Sequence, residues 1–260
     1  MIFREVLAKL ESVAPPEYAL DYDKTGFQVG RLDKEVKKVC LATDITDDVI
    51  EQAVAKGADL ILTHHPLLFD PLSQIVDHDV TGRRVIKLIQ HDINYVSMHT
   101  NFDVMGMADY AADMLGLSER KILDVTYERG GRKEGIGRYG KWPAEMRLAA
   151  CADSIKSKFN LDSVRVYGAA NKIIRTAAIS PGSSSKVMPL AIAADVDLLI
   201  TGDIKHSTAL LAKAHEICLI DAGHYGTEKI FVRFMADYIG SKMAELEVIS
   251  AAEENPFYLI

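Results

Sequence analysis

Long hydrophobic runs are missing from this chain of 260 residues. No apolar stretch reaches the ~18 residues that a membrane-spanning helix needs, which argues against membrane insertion. Cysteine is scarce as well. Cys40, Cys151 and Cys218 are odd in number, lie far apart and form no CxxC pair, which excludes a disulfide framework and a cysteine-based zinc ribbon. Two of them fall in apolar strand-like runs, so all three are expected to be buried thiols of a reducing compartment, and the expected location is cytoplasmic. Basic charge is in deficit, with 30 Lys and Arg against 37 Asp and Glu and a net charge of −7, so nothing resembles an electrostatic footprint for nucleic acid. Nor is there a P-loop or Rossmann glycine motif: the glycines of "RGGRKEG" precede no helix of the right type. The opening "MIFREVLAKLE" reads as a short amphipathic helix rather than a signal sequence. What the chain does have is 48% hydrophobic residues at a mean hydropathy near zero, enough for one large or two modest globular domains.

The pattern along the chain predicts strands alternating with helices. "KKVCLAT" (37–43), "ADLILT" (58–63) and "INYVSMH" (93–99) are β-rich runs, and "DDVIEQAVAKG" (47–57), "GRRVIKLIQHD" (82–92) and "MADYAADMLG" (107–116) have helical apolar spacing. Such alternation predicts an α/β fold with mostly parallel sheets and crossover helices. The polar, glycine-rich "ERGGRKEGIGRYG" (128–140) interrupts it, placing a domain boundary between 1–127 and 128–260. Beyond it strands are expected at 163–169, 173–180, 197–201 and 217–222, with a long helix around 226–243.

The halves resemble each other. "AVAKGADLILTHH" (53–65) aligns without gaps on "AIAADVDLLITGD" (191–203), and "INYVSMHTNFD" (93–103) aligns loosely on "ICLIDAGHYGTE" (217–228). Two matches in the same order point to a divergent internal duplication. The second pairs His99 and Asp103 with His224 and Glu228.

These residues share a position. His64 and His65 end one predicted strand, His99 and Asp103 follow another, and His224 and Glu228 follow a third, all on the carboxyl side where open α/β sheets build their sites. Pro66 keeps His65 extended. If 224–228 opens a helix, His224 and Glu228 share a face at i, i+4 and can grip one ion or two adjacent ions. Three or four imidazoles with two carboxylates suit Zn, Fe, Mn, Co or Ni and suit Ca or Cu(I) poorly. Two divalent ions would bring +4 against −2 from Asp103 and Glu228, with a metal separation of ~3.5–4 Å and a bridging water as nucleophile. His78, His91 and His215, each alone, read as surface or structural histidines.

The segments "DYDKTGFQVG", "THHPLLF", "HTNFD", "ITGDIKH" and "DAGHYGTEK" resemble the NGG-interacting factor three-like family, also labelled GTP cyclohydrolase 1 type 2 homologues, from about Asp21 to Lys229. The resemblance implies two similar interlocked α/β domains, a toroidal homohexamer, and a dinuclear centre held by His64, His65, Asp103, His224 and Glu228. Some relatives carry a domain inserted between the halves; the short 128–140 connection implies none here. With five ligands supplied, His99 is expected beside the metals as a catalytic proton carrier. Where the family usually reads Trp-Asp-Asn before Gly-Leu-Gln, this chain has Tyr22, Asp23, Lys24 and then Gly26, Phe27, Gln28, so no substrate contact is carried over to Lys24. Asp203 and Lys205 stand in a middle motif with His206, which is a pocket candidate only. Three functional readings stand: a metal-dependent hydrolase of the cyclohydrolase kind acting on a nucleotide or other small molecule, a non-catalytic metal-handling or regulatory scaffold, and a mononuclear site with the remaining residues structural, which the richness of the ligand set disfavours.

Overall fold

The apolar runs form strands because both their faces are covered. "LILT" and "CLID" are buried at every position, as expected of parallel strands flanked by helices rather than open to water. The computed structural model describes residues 1–183 and 186–257. The chain forms two units, Met1–Phe102 together with the chain from Phe231 onward, and Asp103–Ile230.

The first unit opens with α1 (Phe3–Val13), β1 (Gly26–Val29), β2 (Lys38–Ala42), α2 (Asp47–Ala55), β3 (Leu60–Thr63), α3 (Val80–Gln90), β4 (Asn94–Ser97) and the single turn α4 (Thr100–Phe102). Thr46 caps α2 by accepting from Val49 N at 3.2 Å, and Asp79 caps α3 by accepting from Gly82 N at 2.7 Å. The second unit begins with a π-helical turn at Asp103–Met107, then α5 (Ala108–Leu115), β5 (Ser118–Arg129), β6 (Arg132–Arg147), α6 (Leu148–Phe159), β7 (Arg165–Tyr167) and β8 (Ile173–Ser183). It continues through α7 (Met188–Ala193), β9 (Leu198–Gly202), α8 (His206–Ala214), β10 (Cys218–Asp221) and α9 (His224–Glu228). The return leg is α10 (Ile230–Lys242) and β11 (Glu247–Ser250).

One sheet runs β1-β4-β3-β2-β11 and the other β5-β6-β8-β9-β10-β7. The strands β1-β4-β3-β2 and β7-β10-β9-β8 repeat the same order and directions: an antiparallel edge strand, then two parallel pairings. The register repeats too, since Leu60 pairs with Asn94 and the aligned Leu198 with the aligned Cys218. Asp59 accepts from the backbone of Lys37 and Lys38 at 2.8 and 3.0 Å, and the aligned Asp197 from Arg175 and Thr176 at 2.8 and 3.0 Å. Left-handed residues recur at matched helix ends, Gly57 with Asp195 and Asp92 with Glu216. These details are what an internal duplication leaves behind.

Two features differ from the sequence expectation. The units divide after Phe102 and Ile230 rather than at 127/128, so Asp103 belongs with His224 and Glu228. The 128–140 segment is no linker but the tip and second strand of the β5–β6 hairpin, with Gly130 at φ 58° and Gly131 at φ 80° making its two-residue turn. The hairpin also leaves the second sheet with three antiparallel and two parallel pairings, whereas the first is mostly parallel, as expected. The three cysteines are buried thiols, and burial pushes Cys40 and Cys151 up to about 11. Among the described residues no helix is long and apolar enough to cross a membrane.

Candidate metal centre

The first unit gathers three imidazoles at the carboxyl ends of β3 and β4. One ligand atom from each of His64, His65 and His99 lies within 4.8 Å of the other two. His64 is fully buried, its ring 5.5 Å from that of Phe231, and its Nδ1–H donates to the Met98 carbonyl at 2.8 Å. The backbone of His65 is held on both sides: its N–H donates to Thr43 O at 2.9 Å, and its carbonyl accepts from Tyr95 Oη at 2.8 Å and Thr63 Oγ1 at 2.7 Å. Its Nδ1–H donates to Asp44 Oδ1 at 2.8 Å. His99 Nδ1–H donates to Asp23 Oδ1 at 2.9 Å.

Asp23 is itself fully built in. Its side chain is 0% exposed, and its second oxygen accepts from Thr100 N at 2.9 Å and Thr100 Oγ1 at 2.5 Å. Burial alone would raise its pKa, but the hydrogen bonds from His99 and Thr100 and the neighbouring imidazole outweigh it and hold the carboxyl at about 2. It is therefore an ionised acceptor throughout the neutral range.

The second unit gathers the acids. Glu228, 4% exposed, places Oε2 3.0 Å from His224 Nε2, the i, i+4 pair expected from the sequence, here on the short helix α9. A carboxylate oxygen of Asp103, the first residue of the π-helical turn, lies within 4.8 Å of one from Glu228. His224 Nδ1–H donates to Asp203 Oδ2 at 2.8 Å. Glycine makes room: at Gly182 (φ +77°) a Cβ would sit 2.2 Å from Glu228 Oε1, and at Gly202 it would sit 2.5 Å from His224 N.

One rule covers all four histidines. Each donates Nδ1–H to an oxygen that can only accept, so the neutral ring carries its lone pair on Nε2. Ligating imidazoles are held in this way, with the far nitrogen fixed by a carboxylate or carbonyl. With two carboxylates added, the donor set fits a divalent transition metal. Gly182→Ala tests the fit. The new methyl group must displace the Glu228 carboxylate and also strains the backbone by ~1–2 kcal/mol. Elemental analysis is expected to find much less metal retained than in wild type, with a melting temperature lower by only a few degrees; full metal retention would refute the cradle.

Of the residues singled out from the sequence, His64, His65 and His99 come together, and Glu228 lies beside both Asp103 and His224. His206 does not join them; it begins α8, exposed, on a cleft of about 700 Å³ lined also by Tyr167, Lys172 and Leu210. His78, His91 and His215 are exposed and fall in no such group among the described residues. Sequence reasoning left Asp203 without a role and missed Asp23 and Asp44. The available signal was position, since Asp44 follows a strand at its carboxyl end and Asp23 lies in the quoted "DYDKTG".

Known proteins resemble this chain along its whole length. A protein of Clostridium perfringens called "GTP cyclohydrolase 1 type 2 homolog" is 32% identical over 264 residues, covering 100% of both chains. One of the same name from Streptococcus pneumoniae is 33% identical over 271 residues, again covering 100% of both. The crystal structure of Staphylococcus aureus protein SA1388 superposes with a TM-score of 0.89 at 28% identity, covering 100% of this chain and 99% of that one. A Bacillus cereus protein related to NIF3 gives 0.89 at 22% identity over 99% of each chain and shares the fold. The family described as DUF34/NIF3 (NGG1p interacting factor 3) matches residues 1–256, and the chain belongs to it.

Proposed function

We propose that this protein holds two divalent metal ions per chain through His64, His65, Asp103, His224 and Glu228, and that it is a hydrolase of a small molecule. The observation that carries this reading is the shared Nδ1 anchoring, which fixes each clustered imidazole through one nitrogen and leaves Nε2 as the ring atom suited to ligation. When bound, the ions supply Lewis acidity and an acidified water near neutral pH. His99, its Nδ1–H fixed on Asp23, takes up and returns the proton at Nε2. A cleft of about 410 Å³ lined by Lys24, Gln28, Leu68, Phe69 and Ile89 lies on the unit that carries these imidazoles and has the size of a small-molecule site. Gln28 clasps the backbone of Leu68 with two hydrogen bonds of 2.9 and 3.0 Å, which ties the "DYDKTGFQVG" loop to the segment after the paired histidines. The relatives' name, GTP cyclohydrolase 1 type 2 homolog, favours a nucleotide or another heterocycle opened by water.

Elemental analysis of protein purified without added metal, then reloaded in turn with Mn, Fe, Co, Ni and Zn, is expected to reach about two ions per chain. A best-occupied sample that never exceeds about one would defeat the dinuclear reading. The same sample is then screened with GTP and with cyclic and phosphorylated small molecules. Full metal loading without turnover of any of them would favour the scaffold reading.

A further inference from the structure

The C-terminal segment is bound to the strand end that carries the holder of His65. After β11, Ala251 N donates to Leu41 O at 2.9 Å, and Ala252 exchanges two hydrogen bonds with the Gln52 side chain at 2.8 and 2.9 Å. Glu253 then places one carboxylate oxygen on each of two successive backbone donors, Oε2 on Thr43 N at 2.8 Å and Oε1 on Asp44 N at 2.9 Å. Those two residues are the ones that grip His65: Thr43 O accepts its backbone N–H at 2.9 Å, and Asp44 Oδ1 accepts its Nδ1–H at 2.8 Å. The path therefore runs from the tail carboxylate to the backbone of Asp44, through the Asp44 side chain, and on to the imidazole.

Glu253 is not a casual surface contact. It is half-buried, and its pKa is raised, first by burial and also by the neighbouring Asp44 charge, against the lowering by hydrogen bonds from the backbone of Asp44 and Thr43. Its removal leaves two N–H groups at the end of β2 without their chain partner.

We propose that residues 251–253 form a latch that sets the His65 imidazole for metal, with Glu253 as a positioning residue acting through Asp44. The latch rests on the metal-binding reading above and adds a means of regulation: whatever lifts the tail loosens the ligand. Because coupling between two equilibria is reciprocal, metal must also tighten the tail.

The test compares wild type with Glu253→Gln and Asp44→Asn. In metal-free protein the imidazole ¹⁵N resonances report the Nδ1 hydrogen bond directly. Glu253→Gln should shift those of His65 and leave those of His99 in place. Competition for Zn²⁺ against a chromophoric chelator should show about tenfold weaker binding in Glu253→Gln and ~10–100-fold in Asp44→Asn, the range for partners that orient ligands. In wild type, Zn²⁺ should slow amide exchange at Thr43 and Asp44. If Glu253→Gln folds as wild type by circular dichroism yet leaves both the His65 resonances and Zn²⁺ affinity unchanged, the latch is overturned. If that variant does not fold, wild-type exchange decides: slowing at Thr43 and Asp44 supports the latch, and no slowing overturns it. A wild type that takes up no Zn²⁺ defeats the metal reading, and the His65 resonances then judge the latch by themselves.

Discussion

Glu228→Gln is expected to leave the protein folded and nearly free of metal. The substitution preserves shape, so the short helix α9 and the hydrogen bonds of Thr227 to Gly223 O, His224 O and Gly182 N stay in place. What changes is charge and donor chemistry. An amide nitrogen replaces one carboxylate oxygen beside His224 Nε2 and the Asp103 carboxylate, and an amide nitrogen offers no lone pair to a cation. Residues that merely orient ligands are worth ~10–100-fold in affinity, and a proposed charged ligand should exceed that. Elemental analysis after reloading should therefore read close to zero at metal concentrations that fill the wild type, with the circular dichroism spectrum unchanged. His65→Ala should behave alike. Global unfolding of either variant would mark the residue as structural, and undiminished metal would remove it from the ligand set.

His99→Asn should do the opposite, retaining about two ions and losing ~10²–10⁴ of turnover on whatever substrate the screen identifies, the usual worth of a positioned proton carrier. Asparagine is short and its amide can still donate to Asp23, so the Asp23–Thr100 contacts that cap α4 survive. The metal count decides the assignment independently of activity. His99 sits within 4.8 Å of His64 and His65 by their ligand atoms, and its Nδ1 is anchored as theirs are. A variant that loses one ion per chain would make His99 a ligand and end its role as proton carrier.

The parallel strands and the helices beside them were legible because burial on both faces writes an uninterrupted apolar run, as in β3 and β10. The paired histidines and the His224–Glu228 spacing were legible because they follow such runs directly. The β5–β6 hairpin was not: "SERKILDVTYER" is mostly exposed and carries little apolar periodicity, and its turn glycines look from sequence like those of a linker. The carboxylates that hold the imidazoles were hidden for a different reason. Asp44 lies 21 residues from His65 and Asp23 lies 76 from His99, so only the folded sheet brings them together. Glu253 left no local signal at all, since its two partners are backbone amides 209 and 210 residues away.

The repeated strand order has a consequence for how freely the two halves can be exchanged. Where the first repeat carries His64 and His65, the aligned positions are Gly202 and Asp203, and the backbone of Gly223 and His224 has closed over Gly202 until no side chain fits. Asp203 meanwhile has turned from a position homologous to His65 into the acceptor for His224. Restoring a histidine pair there would collide with the chain before it could bind anything. The symmetry of the repeats thus survives in the strand order, while at this position close backbone approach holds the second copy to glycine, so a histidine pair cannot be exchanged between the halves without moving the chain.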